Sequence, residues 1–502
     1  MTKPVAAGEM LGHPKGLFLL FGTEMWERMS YYGMRGIFVL YLVAFAGSFG
    51  WDMAYFGIDP NAVDAEEQLA KALNKNALGI LGVYAFWVYV TPVLGGWMAD
   101  NKWGQRKAII IGGILIACGQ FALGTPHQFI PGLEVEFLYL GLFLLIMGNG
   151  FFKPNISTMV GDLYEEGDKR RDAAFTIFYM GINLGAFLSP LIVGYLGEQV
   201  NWHYGFIAAG CGMLIGLFLQ LSLANKYLGD IGVVPSAKKA GATDKEDLKA
   251  RALTQEEKDR TKVILIMSVF SVIFWAGFEQ AGGLFNIYAS QFTDRDFMGF
   301  EVPASWFQSL NAMFIILLAP VVASIWVKMD TKEPTSPVKF ALAMVFLALG
   351  FFVMVWATMV QGGDTSVKVS MLFLVFAYLF HTLGELCLSP IGLSLVSKLA
   401  PVKFTSLLMG CWFFFTALSN KLAAFIGQFV GEGEEQVANA GTIFMSVGGA
   451  ALVTALIIFL SANKLVAWMH GAEGDGHHDM EEKLEEELSV TGTHEAMPES
   501  HN

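Results

Sequence analysis

Twelve apolar runs, most close to the roughly 20 residues that carry a helix across a bilayer, divide this 502-residue chain. Lipid offers backbone N–H and C=O groups no partner, so such runs must close their own hydrogen bonds and cross as helices. The runs are 16–45, 77–98, 108–123, 137–160, 173–196 and 204–223, then 263–290, 306–327, 340–359, 369–395, 407–430 and 442–467. Charged residues make up 15% of the chain, against about 25% in a soluble domain, and mean hydropathy is +0.50. The expected class is an all-α membrane protein embedded in a lipid bilayer. Residues 1–15 are polar and the first run exceeds a signal-peptide core, so no cleavable signal is expected.

Between the sixth and seventh runs lies ANKYLGDIGVVPSAKKAGATDKEDLKARALTQEEKDR, which holds no apolar stretch long enough to cross. Six runs, a charged linker and six more runs are the layout of the major facilitator fold, whose halves are related by a pseudo-two-fold axis along the membrane normal. The expected division is an N-terminal six-helix bundle at 1–223, a linker at 224–262, a C-terminal six-helix bundle at 263–469 and a disordered acidic tail at 470–502. Basic residues gather on one side: Lys102, Arg106, Lys107, Arg170, Arg171, the linker, Lys328, Lys339 and Lys398. By the positive-inside rule that side, with both termini, is expected to be cytoplasmic. Cys118, Cys211, Cys387 and Cys411 fall inside apolar runs without metal-like spacing and read as small buried hydrophobes. His477 and His478 in the tail are a weak metal candidate, and no metal or cofactor is expected.

A charge at the centre of a span costs about 2.5–3.5 kcal/mol even on the mildest scale, so charges there are functional candidates. The first run contains GTEMWERMSYYGMR, with Glu24, Glu27 and Arg28. Residues three and four apart share a helix face, so Arg28 can pair with Glu24 while Glu27 lies alongside. One cation beside two carboxylates leaves one carboxylate under-compensated, a chemistry suited to carrying a proton. Arg35 follows on the same face, beyond Tyr31 and Tyr32. The fourth run holds Lys153 before Pro154, and a lysine at that depth needs a carboxylate partner or an anionic ligand. The second half supplies acids: Glu279 in FWAGFEQAGG, with Trp275 four residues earlier, and Glu385 in HTLGELCLSP, with His381 four residues earlier. A cavity between the halves would be positive on one wall and negative on the other. That matches a peptide zwitterion, whose two charged ends are present whatever its side chains. Aromatic residues Tyr31, Tyr32, Tyr89, Trp275, Trp306 and Trp412 could line side-chain pockets.

Six stretches in order resemble the proton-dependent oligopeptide transporters, the peptide branch of the major facilitators. They are ExxER with its tyrosine pair (24–32), GNGFFKPN (148–155), FTIFYMGINLGAFLSP (175–190), FEQ (278–280), GELCLSPIGLS (384–394) and LSNKLA (418–423). The resemblance implies that Glu24, Glu27, Arg28 and Glu279 take part in proton coupling. It implies that Arg35 and Lys153 meet the peptide carboxylate, and that Glu385, supported by Asn183 and Asn311, meets the amine. Tyr31, Tyr32, Tyr89, Trp275 and Trp412 would shape the pocket, and Lys153 and Glu385 would draw the halves together. GGWMADNKWGQRK (95–107) is similar to a loop motif that latches conformations. The linker is too short for the two extra helices that many bacterial members insert there. The second run lacks an ionisable residue at membrane depth, which leaves Lys75 with Asp294 or Asp296 as the expected outer gate.

The expectation is therefore a proton-coupled symporter importing di- and tripeptides across a plasma or inner membrane, working as a monomer, with protons as its coupling ion and no nucleic-acid partner. An inorganic anion would have no use for Glu385. Neither HExxH nor GxSxG stands on a suitable element, and no loop is large enough for a receptor domain, so an enzyme or receptor is not expected.

Overall fold

The computed structural model describes residues 8–165, 168, 170–235, 253–329, 332–401, 405–429 and 434–472. The acidic tail beyond 472, with His477 and His478, and linker residues 236–252 lie outside them. The twelve runs become twelve long helices. In the first half these are α1 (Lys15–Ala44), α2 (Ala65–Met98), α3 (Gln105–Leu123), α4 (Glu134–Asp162), α5 (Arg170–Ser189) and α6 (Trp202–Tyr227). The second half has α7 (Gln255–Phe292), α8 (Ser309–Met329), α9 (Ser336–Gln361), α10 (Leu372–Leu399), α11 (Thr405–Gly427) and α12 (Glu434–Ala467). Eleven are long and apolar enough to cross a bilayer. The twelfth is α1, whose 30 residues suffice in length but include Glu24, Glu27, Arg28 and Arg35.

Several helices outrun their apolar cores. α7 begins in polar sequence because Thr254 and Glu257 close a capping box: the Thr254 hydroxyl accepts from the Glu257 N–H at 3.2 Å, and the Glu257 carboxylate accepts from the Thr254 N–H at 2.8 Å. Such a box satisfies donors that a helix start otherwise leaves open. α7 is also broken once, by a 3-10 turn at Glu279–Gly282, before it resumes at Leu284.

Each half packs as its own bundle around its own apolar core. In the first, α1 is clasped by α5 and α6, and α4 lies against α2 and α3; in the second, α9 sits between α10 and α12. The GNGFFKPN stretch makes physical sense as packing. A Cβ on Gly148 would stand 2.8 Å from the Gly112 carbonyl of α3, and one on Gly150 would stand 2.7 Å from Cβ of Thr91 on α2. Only glycine permits both approaches, and they fix the face on which Lys153 follows. α4 continues through Pro154 without ending.

The linker-side end of the first bundle is tied within the bundle. Arg106 of α3 donates to the Ala224 carbonyl at 2.8 Å and to Asn225 Oδ1 at 3.1 Å on α6. The preceding loop motif forms a π-helical turn, Ala99–Trp103, and reverses at Gly104 with φ +78°. One expectation needs correction. Cys118 and Cys211 are exposed, and only Cys387 is buried: the first two stand on outward helix faces, where apolar character suits lipid contact as well as a core.

Candidate functional site

The first charged cluster is built within α1. Glu24, Glu27 and Arg28 retain 2%, 0% and 3% of their surface, so water does not reach them. Arg28 Nε lies 3.0 Å from Glu24 Oε1 and bonds the Glu27 carboxylate. The guanidinium also lies over the Tyr31 ring at 5.2 Å, and Tyr31 meets Tyr32 edge-on at 5.2 Å. One oxygen of each glutamate and one terminal nitrogen of Arg28 have no hydrogen-bond partner. The local charge is therefore one cation against two carboxylates, as the i, i+3, i+4 spacing predicts, with one excess negative charge when both are ionised. Lys153 is a further cation whose charge reaches both carboxylates. Its ammonium lies over the Tyr89 ring at 4.4 Å, which joins α4 to α2.

The second cluster spans the bundles. Arg35 of α1 forms an ion pair with Glu279 at the break in α7. The break itself makes the room: a Cβ on Gly282 would lie 3.0 Å from Arg35 Nε. Below the pair is a cavity of about 140 Å³ between the two bundles. Six of the predicted residues line it: Tyr32, Arg35, Asn183, Glu279, Asn311 and Glu385. Asn311 donates to Glu385 Oε2 at 2.8 Å and to the Thr382 hydroxyl at 3.1 Å. Asn183 lines the cavity but donates to the Tyr179 carbonyl of its own helix. The cavity thus holds a guanidinium from the first bundle and a carboxylate from the second.

The remaining predicted residues stand outside the lining. Trp275 packs edge-on against Phe274 and Phe278, each 5.3 Å away, and it is Phe278 that reaches the cavity. Trp412 is buried against Gly392 of α10. Trp306 lies tilted against Phe300 at 5.7 Å. Tyr31, Tyr89 and Lys153 neighbour the charged cluster of α1 instead. Sequence reading missed Tyr179, Gln308 and Tyr378 in the lining. Tyr179 had a usable signal, since it shares a face with Asn183 four residues on. His381 lines the cavity too, with its ring stacked on Phe285 at 5.4 Å.

The side opposite the linker, the far side, is closed by contacts between bundles. α2 packs along α11 and α5 along α8. Glu198, just past α5, accepts from the N–H groups of Ala304 and Ser305 at 2.7 and 2.9 Å and from the Ser305 hydroxyl. It caps the 3-10 turn that starts the eighth span. Asn286 donates to the Gly36 carbonyl at 2.8 Å, and Ser309 donates to the Phe187 carbonyl at 2.9 Å. The expected outer gate is corrected here. Among the described residues Lys75 pairs with neither Asp294 nor Asp296; the ionic link between the bundles is Arg35–Glu279, with Glu198 above it. No group of histidine, cysteine or carboxylate side chains suited to a metal occurs among the described residues.

Comparison with known proteins agrees with this architecture. A family model, the POT family, matches residues 106–227 and 236–443. The peptide transporter YePEPT of Yersinia enterocolitica is 34% identical over 92% of this chain and 96% of its own length. A di-/tripeptide transporter of Lactococcus lactis subsp. cremoris is 32% identical over 82% of this chain and 89% of its own. The crystal structure of a peptide transporter POT in complex with sulfate superposes with a TM-score of 0.79 at 36% identity, covering 93% of this chain and 98% of that one. The fold is thus the twelve-helix, two-bundle major facilitator fold that the run pattern predicts.

Proposed function

The chain belongs to the POT family, a family of membrane transporters and not of enzymes, and from that premise we propose that it is a proton-coupled symporter importing di- and tripeptides by alternating access. The observation that carries the proposal is a cavity between the bundles, lined by Arg35 of the first and Glu385 of the second. A peptide carboxylate toward Arg35 and an ammonium toward Glu385 and Asn311 would be held by charge-assisted bonds, independent of side-chain sequence. The names of the relatives from Yersinia and Lactococcus point to the same substrate class.

At about 140 Å³ the cavity is below the roughly 300–1,000 Å³ of common ligand pockets. A tripeptide therefore requires the bundles to part, which is the motion alternating access supplies. Protonation of the Glu24–Glu27–Arg28 cluster removes its excess negative charge, and protonation of Glu279 releases Arg35 to meet the substrate carboxylate. Lys153, whose ammonium lies over the Tyr89 ring beside the cluster, is the second cation offered to the substrate carboxylate. The linker side is cytoplasmic in this scheme, the protein sits in the cell's plasma or inner membrane, and one monomer completes the cycle. The coupling ion is the proton, and no other cofactor takes part.

Uptake of labelled di-alanine into proteoliposomes tests the proposal. Accumulation stimulated by an inward proton gradient and competed by other dipeptides, but not by free alanine, is the expected result. Uptake indifferent to the gradient would remove the coupling role.

A further inference from the structure

A second cavity lies on the far side, away from the one between Arg35 and Glu385. It is a lateral groove of about 910 Å³ between α2, α4 and α11. Its upper part carries Lys71, Lys75 and Lys421, all exposed. None of the three has an ion pair or hydrogen bond among the described residues. Two further donors in the lining, Asn76 Nδ2 and the Tyr84 hydroxyl, are buried without a partner, and Tyr84 as a whole is 1% exposed. Among the described residues no aspartate or glutamate lines the groove. Its lower wall is apolar and faces outward: Val83, Tyr139 and Phe143 are each about half exposed.

Depth explains the arrangement. Lys71 and Lys75 precede the apolar part of α2, so they stand at headgroup level. Lys421 begins lower, its stem against Gly82 of α2, and its long side chain can carry the ammonium up to that level. Donors above and an open apolar wall below are the two chemistries of one kind of molecule.

We propose that this groove binds an anionic phospholipid of the far-side leaflet, with the phosphate among Lys71, Lys75 and Lys421, the ester oxygens on Asn76 and Tyr84, and an acyl chain along Val83, Tyr139 and Phe143. Charge complementarity selects this occupant: a zwitterionic lipid would bring an ammonium into a cluster that has no carboxylate to receive it. The groove also straddles the moving seam. Lys71 and Lys75 belong to the first bundle and Lys421 to the second, so a phosphate bridging them is held only while α2 and α11 lie side by side. The bound lipid therefore favours the far-side-closed form.

Lipid retention by the purified full-length protein, measured by native mass spectrometry, tests this without reference to transport. The probes are phosphatidylglycerol and phosphatidylcholine with the same acyl chains. A basic residue near a lipid surface contributes about fivefold in affinity, so three lysines give a preference for phosphatidylglycerol on the order of a hundredfold. The preference should fall stepwise in Lys71→Gln, Lys75→Gln and Lys421→Gln. It should persist when Lys226→Gln and Lys464→Gln remove charges on the linker side. Equal retention of the two lipids by the unaltered protein would overturn the proposal, as would an unchanged preference in the triple variant. In vesicles, phosphatidylglycerol should also slow labelling of a cysteine placed on the α2–α11 seam; faster labelling would contradict the bridging geometry.

Discussion

The Glu24–Glu27–Arg28 cluster and the Arg35–Glu279 bridge are both buried ionic groups on α1, yet they are built in opposite ways. The first is closed within one helix, so it keeps its geometry whatever the bundles do. The second joins residues 244 positions apart in the chain and lasts only while the bundles meet. A group that persists through the cycle can hold a proton from one side of the membrane to the other. A group that must break can report, and resist, the opening of the far side. In the proposed cycle, the two neighbours on one helix would divide proton storage from gating.

The largest effect is expected at the storage end. Glu27→Gln should abolish gradient-driven uptake while peptide counterflow stays within a few-fold of the unaltered protein; a variant that still concentrates peptide would remove Glu27 from coupling. Glu279→Gln attacks the gate. Breaking one partner of a buried ion pair costs about 3–5 kcal/mol, so labelling of a cysteine on the far-side seam should rise by at least tenfold. If Glu27→Gln raised that labelling equally, the division would fail. Glu385→Gln leaves both clusters intact and should raise the peptide KM by about tenfold, the loss of one charge-assisted bond, with little change for a peptide whose amine is blocked. Glu198→Gln weakens a neutral-backbone cap across the seam and should raise far-side labelling only about threefold to fivefold, in line with roughly 1 kcal/mol for a helix cap.

The smallest effect concerns the far-side rim. His127, in the loop between α3 and α4, shares a hydrogen bond with Tyr41 at 3.0 Å and meets the His203 ring edge-on at 5.0 Å. Burial holds its imidazole below the usual value, with Glu134 opposing weakly. Its neutral form is thus favoured by the fold: the stability it contributes is present above about pH 6.5 and is lost as pH falls through the lowered value. The melting temperature should drop by a few degrees on acidification, and His127→Gln should flatten part of that slope. An unchanged slope would place the acid sensitivity elsewhere.

What could be read from sequence follows the same division. The cluster of α1 was legible because residues three and four apart on a helix must meet. The twelve runs were legible because bilayer thickness sets their length. The bridge was not: a helical period shows which residues share a face, but not which other helix that face meets. That is why Arg35 and Glu279 are read from sequence as separate candidates, a substrate ligand and a proton site, with no sign that the fold pairs them. It is also why the gate was sought at Lys75, Asp294 and Asp296. Glu198 gave no signal, since a carboxylate just past a span looks like any interfacial acid until its partners arrive from the 3-10 turn before α8. Trp275 and Trp412 share the composition of a pocket, but Trp275 packs on Phe278, which is the residue in the lining, and Trp412 packs against Gly392 of α10. GNGFFKPN was read for its lysine, and its glycines proved to be what orients that lysine.

The charges of α1 also bear on how the protein is made. The earliest made of these twelve helices is the one that is not apolar enough, by composition, to settle in lipid unaided. Its partners in the finished bundle, α5 and α6, are synthesised more than a hundred residues later. Until they arrive, α1 must be held by the insertion machinery or shielded by other chains, so biogenesis of this half waits on its last helices and not on its first.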